Sequence, residues 1–347
     1  MSKRIVFKWH HWCGLVVGVF LLLQSITGAL LVFSAEIENA YDKQWETVDN
    51  SSGLFYYDAS LQNIRNHYPG WEIRLYEQPG INESLQYELR KDISRKKIFV
   101  HPVSGSVLHV SDQMHNQFHQ LLLLWHYSLF AGTTGKLVVF LAGILFLVTT
   151  ITGIFIYRRS IIKVLSFRVK ITAKSTRGKF SAWHRVIGVW ALLFNLLIVI
   201  TGLFLSGKIA LNALKTVKPV PAINNSVIVS VDGVRNNIAK NYKDFEIHLL
   251  RVPVKGNTVL VYGRYKSDPS YYGNYASSFS VSGYTAQVES SNIASQQAFF
   301  KRMSLISGPL HFGNYGGIFL KIIYCFLGLA PALLSISGFC IWWFKKK

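Results

Sequence analysis

Four stretches of the chain run about 20 residues with few charged positions: Trp12 to Phe33, Leu137 to Tyr157, Val186 to Ser206 and Ile318 to Phe344. Each is long enough to cross the hydrocarbon core of a bilayer as a helix. The first is preceded by Lys3, Arg4 and Lys8 and followed by Ser34-Ala35, the outline of a secretory leader. Its apolar part exceeds the roughly 7–15 residues of a leader's core, so it reads as a span.

Between the spans the pattern changes. Asp58 to His67 opens with a capping residue, sets Leu61 and Ile64 three apart, and stops before Pro69-Gly70, which predicts a short helix. Alternating stretches follow at Trp71–Glu77, Ser84–Arg90 and Lys97–His101, and a Ser104-Gly105 turn leads into Val107–Val110. The unit reads as a helix laid on an antiparallel sheet. The later segment repeats it, with a helix over Asp232–Tyr242 and strands over Glu246–Val252, Thr258–Arg264 and Ser277–Val281. The fold class is therefore a membrane α-helical protein with α+β extramembrane domains.

Charge fixes a direction. The 37 Lys and Arg against 17 Asp and Glu give a net charge of +20, which by itself suggests a nucleic-acid binder. Its distribution says otherwise: eight basic residues crowd Arg158 to Lys179 without one acid, and Lys345 to Lys347 follow the last span. Basic clusters beside apolar runs face cytoplasm and anionic membrane lipid. Residues 1–34 then carry the first span and 35–118 an outer domain; 119–158 form a lead-in and the second span, and 159–182 a basic cytoplasmic loop. Residues 183–206 carry the third span, 207–310 a second outer domain, and 311–347 the fourth span with a cytoplasmic tail. Both termini are expected inside. Cys13, Cys325 and Cys340 all fall in apolar runs, so no disulfide framework, CxxC pair or zinc-finger spacing exists.

The chain is internally repetitive. A shift of 174 residues lays Trp9-His10 on Trp183-His184, Thr27-Gly28 on Thr201-Gly202, Asp58 on Asp232 and Pro79 on Pro253. At offset 178 Val103-Ser104-Gly105 meets Val281-Ser282-Gly283, and at offset 185 His126 meets His311 and Gly153 meets Gly338. Each copy is span, outer domain, span, so the expected architecture is a four-helix transmembrane bundle of two duplicated units about an axis along the membrane normal.

Of 11 histidines, the duplication pairs four. His10 and His184 begin spans one and three on the cytoplasmic side; His126 and His311 precede spans two and four on the outer side. An interfacial His beside Trp9, Trp125 or Trp183 can be a simple anchor. A symmetric pair at each face instead provides the two imidazoles that six-coordinate haem iron needs. Every span also carries a hydroxyl-glycine step near its exit: Thr27-Gly28, Thr152-Gly153, Thr201-Gly202 and Ser337-Gly338. Those glycines are expected either to let a flat macrocycle lie against backbone or to serve close helix packing. His11 aligns with Arg185 and His119 with Ser304, which leaves both as alternates; His115 stands on the same footing as His119. His67, His101, His109 and His248 read as surface residues.

The segments Trp9-His10-His11-Trp12-Cys13-Gly14-Leu15 and Leu124-Trp125-His126-Tyr127-Ser128-Leu129, with Gly132 and Gly135 and the Thr-Gly exits, resemble the PepSY-associated transmembrane family. Tyr68-Pro69-Gly70 and His101-Pro102-Val103-Ser104-Gly105 look like its PepSY modules. The resemblance implies an iron-regulated bacterial inner-membrane protein of the ferric-siderophore reductase type. It would carry two b haems on His10, His184, His126 and His311, with two periplasmic PepSY-like domains. The Tyr271-Tyr272-Gly273-Asn274-Tyr275 stretch departs from the plain module and leaves the substrate open. Against this reading stand a non-enzymatic membrane partner binding peptide, protein or iron chelate, and a chelate permease. Few charged residues lie in the spans, which disfavours an ion-coupled permease. No GxGxxG or Walker motif is present, so electrons would come from quinol or from a soluble cytoplasmic reductase.

Overall fold

A computed structural model describes residues 2–49, 53–77, 79–91, 94–111, 118–169, 174–215 and 229–345. In chain order the helices and strands begin with α1 (Lys3–Leu31), α2 (Ser34–Glu46), α3 (Tyr57–His67), β1 (Glu72–Tyr76), β2 (Leu85–Lys91), β3 (Ser94–Val100) and β4 (Val107–Ser111). There follow α4 (Phe118–Ser128), α5 (Gly132–Tyr157), α6 (Ile161–Leu165), α7 (Thr176–Trp190), α8 (Leu192–Leu214) and α9 (Val231–Asn241). The chain closes with β5 (Phe245–Val252), β6 (Thr258–Tyr265), β7 (Ser277–Ser282), β8 (Val288–Asn292), α10 (Phe299–Phe312), α11 (Gly317–Gly328) and α12 (Ala330–Trp343). They form two compact units.

The first unit, residues 1–34, 121–216 and 307–347, holds the spans. Among the described residues four helices are long and apolar enough to cross a membrane: Lys3–Leu31, Gly132–Tyr157, Leu192–Leu214 and Gly317–Trp343. Their outward faces expose Val19, Leu141, Leu193 and Phe326, while many of the positions they bury are small or polar, among them Thr27, Thr152, Thr201 and Ser337. This inversion of the soluble pattern suits lipid outside and close helix contact inside. Contacts join α1 to α5 and α12, α5 to α8, and α12 to α7, so spans one and three lie diagonally across the bundle, as do spans two and four. The third span is interrupted at Ala191 and the fourth at Leu329. Pro331 explains the second interruption, because it offers no N–H to the ladder and its ring crowds the preceding turn.

The second unit, residues 35–120 and 217–306, was expected as two separate domains. It contains one continuous antiparallel sheet in the order β4-β3-β2-β1-β5-β6-β7-β8. Each half contributes a helix followed by four strands, and the halves meet where β1 pairs with β5, with Ile73 opposite Val252 and Leu75 opposite Leu250. Strand alternation sends Ile73, Leu75, Tyr87, Leu89, Leu250 and Val252 to a core covered by Leu61 and Ile64 of α3 and Val234 and Ile238 of α9. On the other face of the junction Glu72 accepts hydrogen bonds from Arg251 at 2.9 and 3.1 Å. Burial alone would raise the Glu72 pKa, but the hydrogen bonds and charges of Arg251 and Arg74 outweigh it and hold the carboxyl below its usual range.

The helix starts are tied reciprocally. Asp58 accepts from the backbone N–H of Val231 at 2.6 Å and of Asp232 at 3.2 Å and from the Ser230 hydroxyl at 2.7 Å, while Asp232 accepts from the Asp58 N–H at 3.0 Å. Two aspartates thus each satisfy the open first turn of the other half's helix. Asp58→Ala is expected to lower the stability of this unit by about 1–2 kcal/mol, the usual cost of a lost cap. Denaturant unfolding followed by circular dichroism checks it; an unshifted transition would show that the cross-caps add nothing.

Candidate functional site: two histidine pairs in the transmembrane unit

The helix α1 carries His10 near its start and Thr27 near its end, 17 residues or about 25 Å apart at 1.5 Å per residue. One imidazole pair lies at each of these levels. His10 of α1 and His184 of α7 have ring centroids 6.2 Å apart with planes at 89°. His126 of α4 and His311 of α10 have centroids 6.4 Å apart with planes at 53°. The structure thus brings together both pairs that the duplication singled out.

Each ring is held by a neighbouring span through the same device. His126 Nδ1 lies 3.0 Å from Thr27 Oγ1, His311 Nδ1 3.1 Å from Thr201 Oγ1, and His184 Nδ1 2.9 Å from Ser337 Oγ. His10 Nδ1 lies 3.1 Å from Thr152 Oγ1 and 3.0 Å from the Thr149 carbonyl oxygen. All four hydroxyls donate their own proton to the carbonyl one turn back in their helix, at 2.6 to 3.0 Å. They must therefore accept from the ring, so Nδ1 carries the proton; at His10 the Thr149 carbonyl, which only accepts, requires the same. This leaves the lone pair on Nε2, and among the described residues no Nε2 of the four has a hydrogen-bond partner. A histidine whose Nδ1–H is anchored and whose Nε2 is free is poised as a metal ligand.

Each of the four glycines has an imidazole as its close neighbour. A Cβ at Gly28 would lie 3.1 Å from Cε1 of His126, one at Gly202 3.1 Å from Cε1 of His311, one at Gly153 3.4 Å from Cε1 of His10, and one at Gly338 3.5 Å from Cε1 of His184. Each glycine thus makes room for the edge of an imidazole. Hydroxyl and glycine act together: the first fixes the ring's tautomer and the second lets the ring sit against the helix. The hydroxyl-glycine repeat was visible in the sequence, but the hydroxyl's partner was not.

Metal–nitrogen bonds of about 2 Å on opposite sides of one ion put two imidazole centroids about 6.3 Å apart. Both observed separations agree with that. Among the described residues no group of three or more His, Cys, Asp or Glu could hold a metal. A two-imidazole site suits an ion whose other four positions are filled by a planar macrocycle. A cavity of about 300 Å³ lies beside the His10–His184 pair, lined also by Gly14, Tyr157, Arg185 and Asn195. Two buried polar atoms on its lining residues, Arg185 Nε and Asn195 Oδ1, have no partner among the described residues. Donor set and spacing fit a bis-imidazole haem at both pairs, and a cavity lies beside the His10–His184 pair.

Neither alternate stands opposite a ligand candidate. His11 stacks on Phe7 at 6.2 Å and lines the same cavity, but His184 faces His10. His119 is buried in the second unit, its Nε2 3.0 Å from the side chain of Gln120 and 3.9 Å from Glu38, whereas His311 is paired with His126. His115 lies outside the described residues. Of those read as surface residues, His109 stacks on Trp45 at 4.0 Å and His248 is bonded to Glu77, so both have structural partners.

Thr27→Val and Thr201→Val keep the side chain's shape and remove the acceptor. Each is expected to weaken metal-group binding at the His126–His311 pair by about 10–100-fold, the usual loss when a ligand's outer hydrogen bond is cut. Titration of the purified apoprotein with haemin measures it, and unchanged affinity would make the hydroxyls mere packing groups.

A search of curated proteins finds no match to the chain. The profile of the PepSY-associated TM region matches residues 7–345, which takes in all four spans and both histidine pairs, and the chain therefore belongs to this family of membrane proteins.

Proposed function

We propose that the protein is a haem-containing reductase of the bacterial inner membrane that passes electrons outward to a ferric siderophore and releases Fe²⁺. The observation that carries the reading is the recurrence of one ligand geometry at both ends of the bundle: two Nδ1-anchored imidazoles with centroids 6.2 and 6.4 Å apart. Haem bound there supplies a one-electron ferric–ferrous couple. The chain's part is to hold the rings at fixed tautomer, to keep the four ligands on rigid helices, and to exclude water with the apolar span surfaces.

The basic run from Arg158 to Lys179 supports a cytoplasmic position for the loop between spans two and three, with both termini on that side. An even number of spans then puts residues 35–120 and 217–306 together on the periplasmic side. The two helix-and-four-strand halves of the second unit support the reading of an internal duplication. Electrons would enter near His10 and His184 from quinol or a soluble cytoplasmic reductase and leave near His126 and His311. Fe³⁺ in an oxygen-donor chelate is released readily only after reduction, since softer Fe²⁺ suits hard oxygen ligands less well. The stretch from Lys208 to Arg302, with 12 basic residues against 5 acidic ones, suits an anionic chelate.

The test is to reduce the purified protein without oxygen and add ferric siderophores with a ferrous trap. Haem reoxidation matched one-to-one by trapped Fe²⁺ is expected, and it should vanish in His311→Ala. A protein that stays reduced against every chelate would move the function to a non-enzymatic binding partner.

A further inference from the structure

The inner cavity carries a feature that ligation alone does not use. Along α7, Arg177, Ser181, His184 and Gly188 follow one another at the four- and three-residue steps of a single helix face, and all four line the cavity. Arg185 lines it too, one position past the ligand. The cavity has two guanidinium groups and three histidines on its wall and no Asp or Glu. Among the described residues neither Arg177 nor Arg185 pairs with a carboxylate, and the Nε of Arg185 is buried with no hydrogen-bond partner at all. A buried guanidinium nitrogen left unpaired costs free energy, and such a group calls for an anionic acceptor. Arg177 is exposed on the first turn of α7, two turns before His184, at the end of the bundle where the chain is most basic.

We propose that Arg185, with Arg177, binds carboxylate groups of the macrocycle ligated by His10 and His184, and thereby sets the orientation and potential of that haem. The inference rests on the haem reading above and adds to it a second recognition element. Haem b is an amphiphile, with an apolar ring and two propionates on one edge, and the cavity's lining offers groups of both kinds. Its lining combines apolar side chains such as Leu15, Ile154 and Leu334 with the two guanidiniums. Arginine is the side chain best suited to hold a carboxylate, since its planar fork can donate two parallel hydrogen bonds. The duplication makes the feature one-sided: the counterpart of Arg185 in the first copy is His11, so the cavity presents its fixed positive charge from α7 and not from α1.

The experiment uses the full-length protein in detergent and compares wild type, Arg185→Gln, Arg185→Lys and Arg177→Gln. Haem per chain, the midpoint potential of each haem by spectroelectrochemistry, and co-purifying anionic lipid are measured in parallel. The haem lost in His184→Ala identifies the inner site, and the haem lost in His311→Ala serves as the control for correct folding.

Arg185→Gln should lower the midpoint potential of the inner haem or release that haem, and leave the outer one unchanged. The sign follows from charge: removing a fixed cation beside the iron favours the ferric form. Arg185→Lys should retain the haem with a smaller shift, because the charge survives while the fork is lost. Arg177→Gln should shift the same haem in the same direction by less, being more exposed to water. Inner-haem content and potential equal to wild type in Arg185→Gln would overturn the proposal. So would unchanged potentials with loss of anionic lipid, which would make the arginines a lipid site. Wild-type protein free of haem would instead overturn the functional reading on which the proposal rests.

Discussion

Replacing His311 by alanine is expected to halve the haem content of the purified protein, from two haems per chain to one, and His184→Ala should remove the other. The two pairs belong to opposite ends of a helix in which His10 and Thr27 are about 25 Å apart, and each ring is anchored by its own hydroxyl, so neither site depends on the other for a ligand. The remaining haem should keep its low-spin spectrum. His119→Ala and His11→Ala should leave both haems in place, because His119 lies beside Gln120 and Glu38 and His11 against Phe7. Pyridine haemochrome assays of the four variants decide the matter. Full haem content in both His184→Ala and His311→Ala would defeat the assignment.

Gly28→Val and Gly202→Val should abolish the outer haem nearly as completely as loss of a ligand. At both positions a Cβ alone would stand 3.1 Å from an imidazole Cε1, tighter than ordinary packing, and the branched methyls of valine occupy the space of the ring itself. The imidazole cannot retreat without giving up its bond to Thr27 or Thr201, which fixes it from the same turn. At the inner end the corresponding Cβ distances are 3.4 Å from Gly153 and 3.5 Å from Gly338, so alanine there should be tolerated. Haem content should therefore fall steeply for valine at 28 and 202 and stay near wild type for alanine at 153 and 338. An outer haem retained in Gly202→Val would show that the close approach is slack.

The spans were legible because length and hydropathy suffice to define them in a bilayer, and the histidine pairs were legible because the repeat aligned them. What the hydroxyls do was hidden by their ordinary behaviour. A helical Thr bonds to the carbonyl one turn back whether or not its second lone pair is used, so Thr27 and Thr201 carry no mark of their ring partners in sequence. The glycines were recognised as places of close approach, but the approaching group could only be named once α4 and α10 placed His126 and His311 against them. Those two helices were missed as separate elements because they run into the spans as one apolar pattern. The junction of β1 with β5 could not be read either, since alternation says which face of a strand is buried and not which edge it pairs with. Strand β8, Val-Glu-Ser-Ser-Asn, has one apolar residue and owes its place to pairing with β7.

The most direct measurement of the central claim is low-temperature electron paramagnetic resonance of the oxidised, purified protein, with haem counted per chain on the same sample. Two low-spin ferric signals are expected in equal amounts. The one lost in His184→Ala should be the strongly anisotropic type given by perpendicular imidazole planes, from the 89° pair, and the other should be less anisotropic, from the 53° pair. Protein that inserts fully and carries no haem, or whose haem is entirely high-spin, would contradict the account.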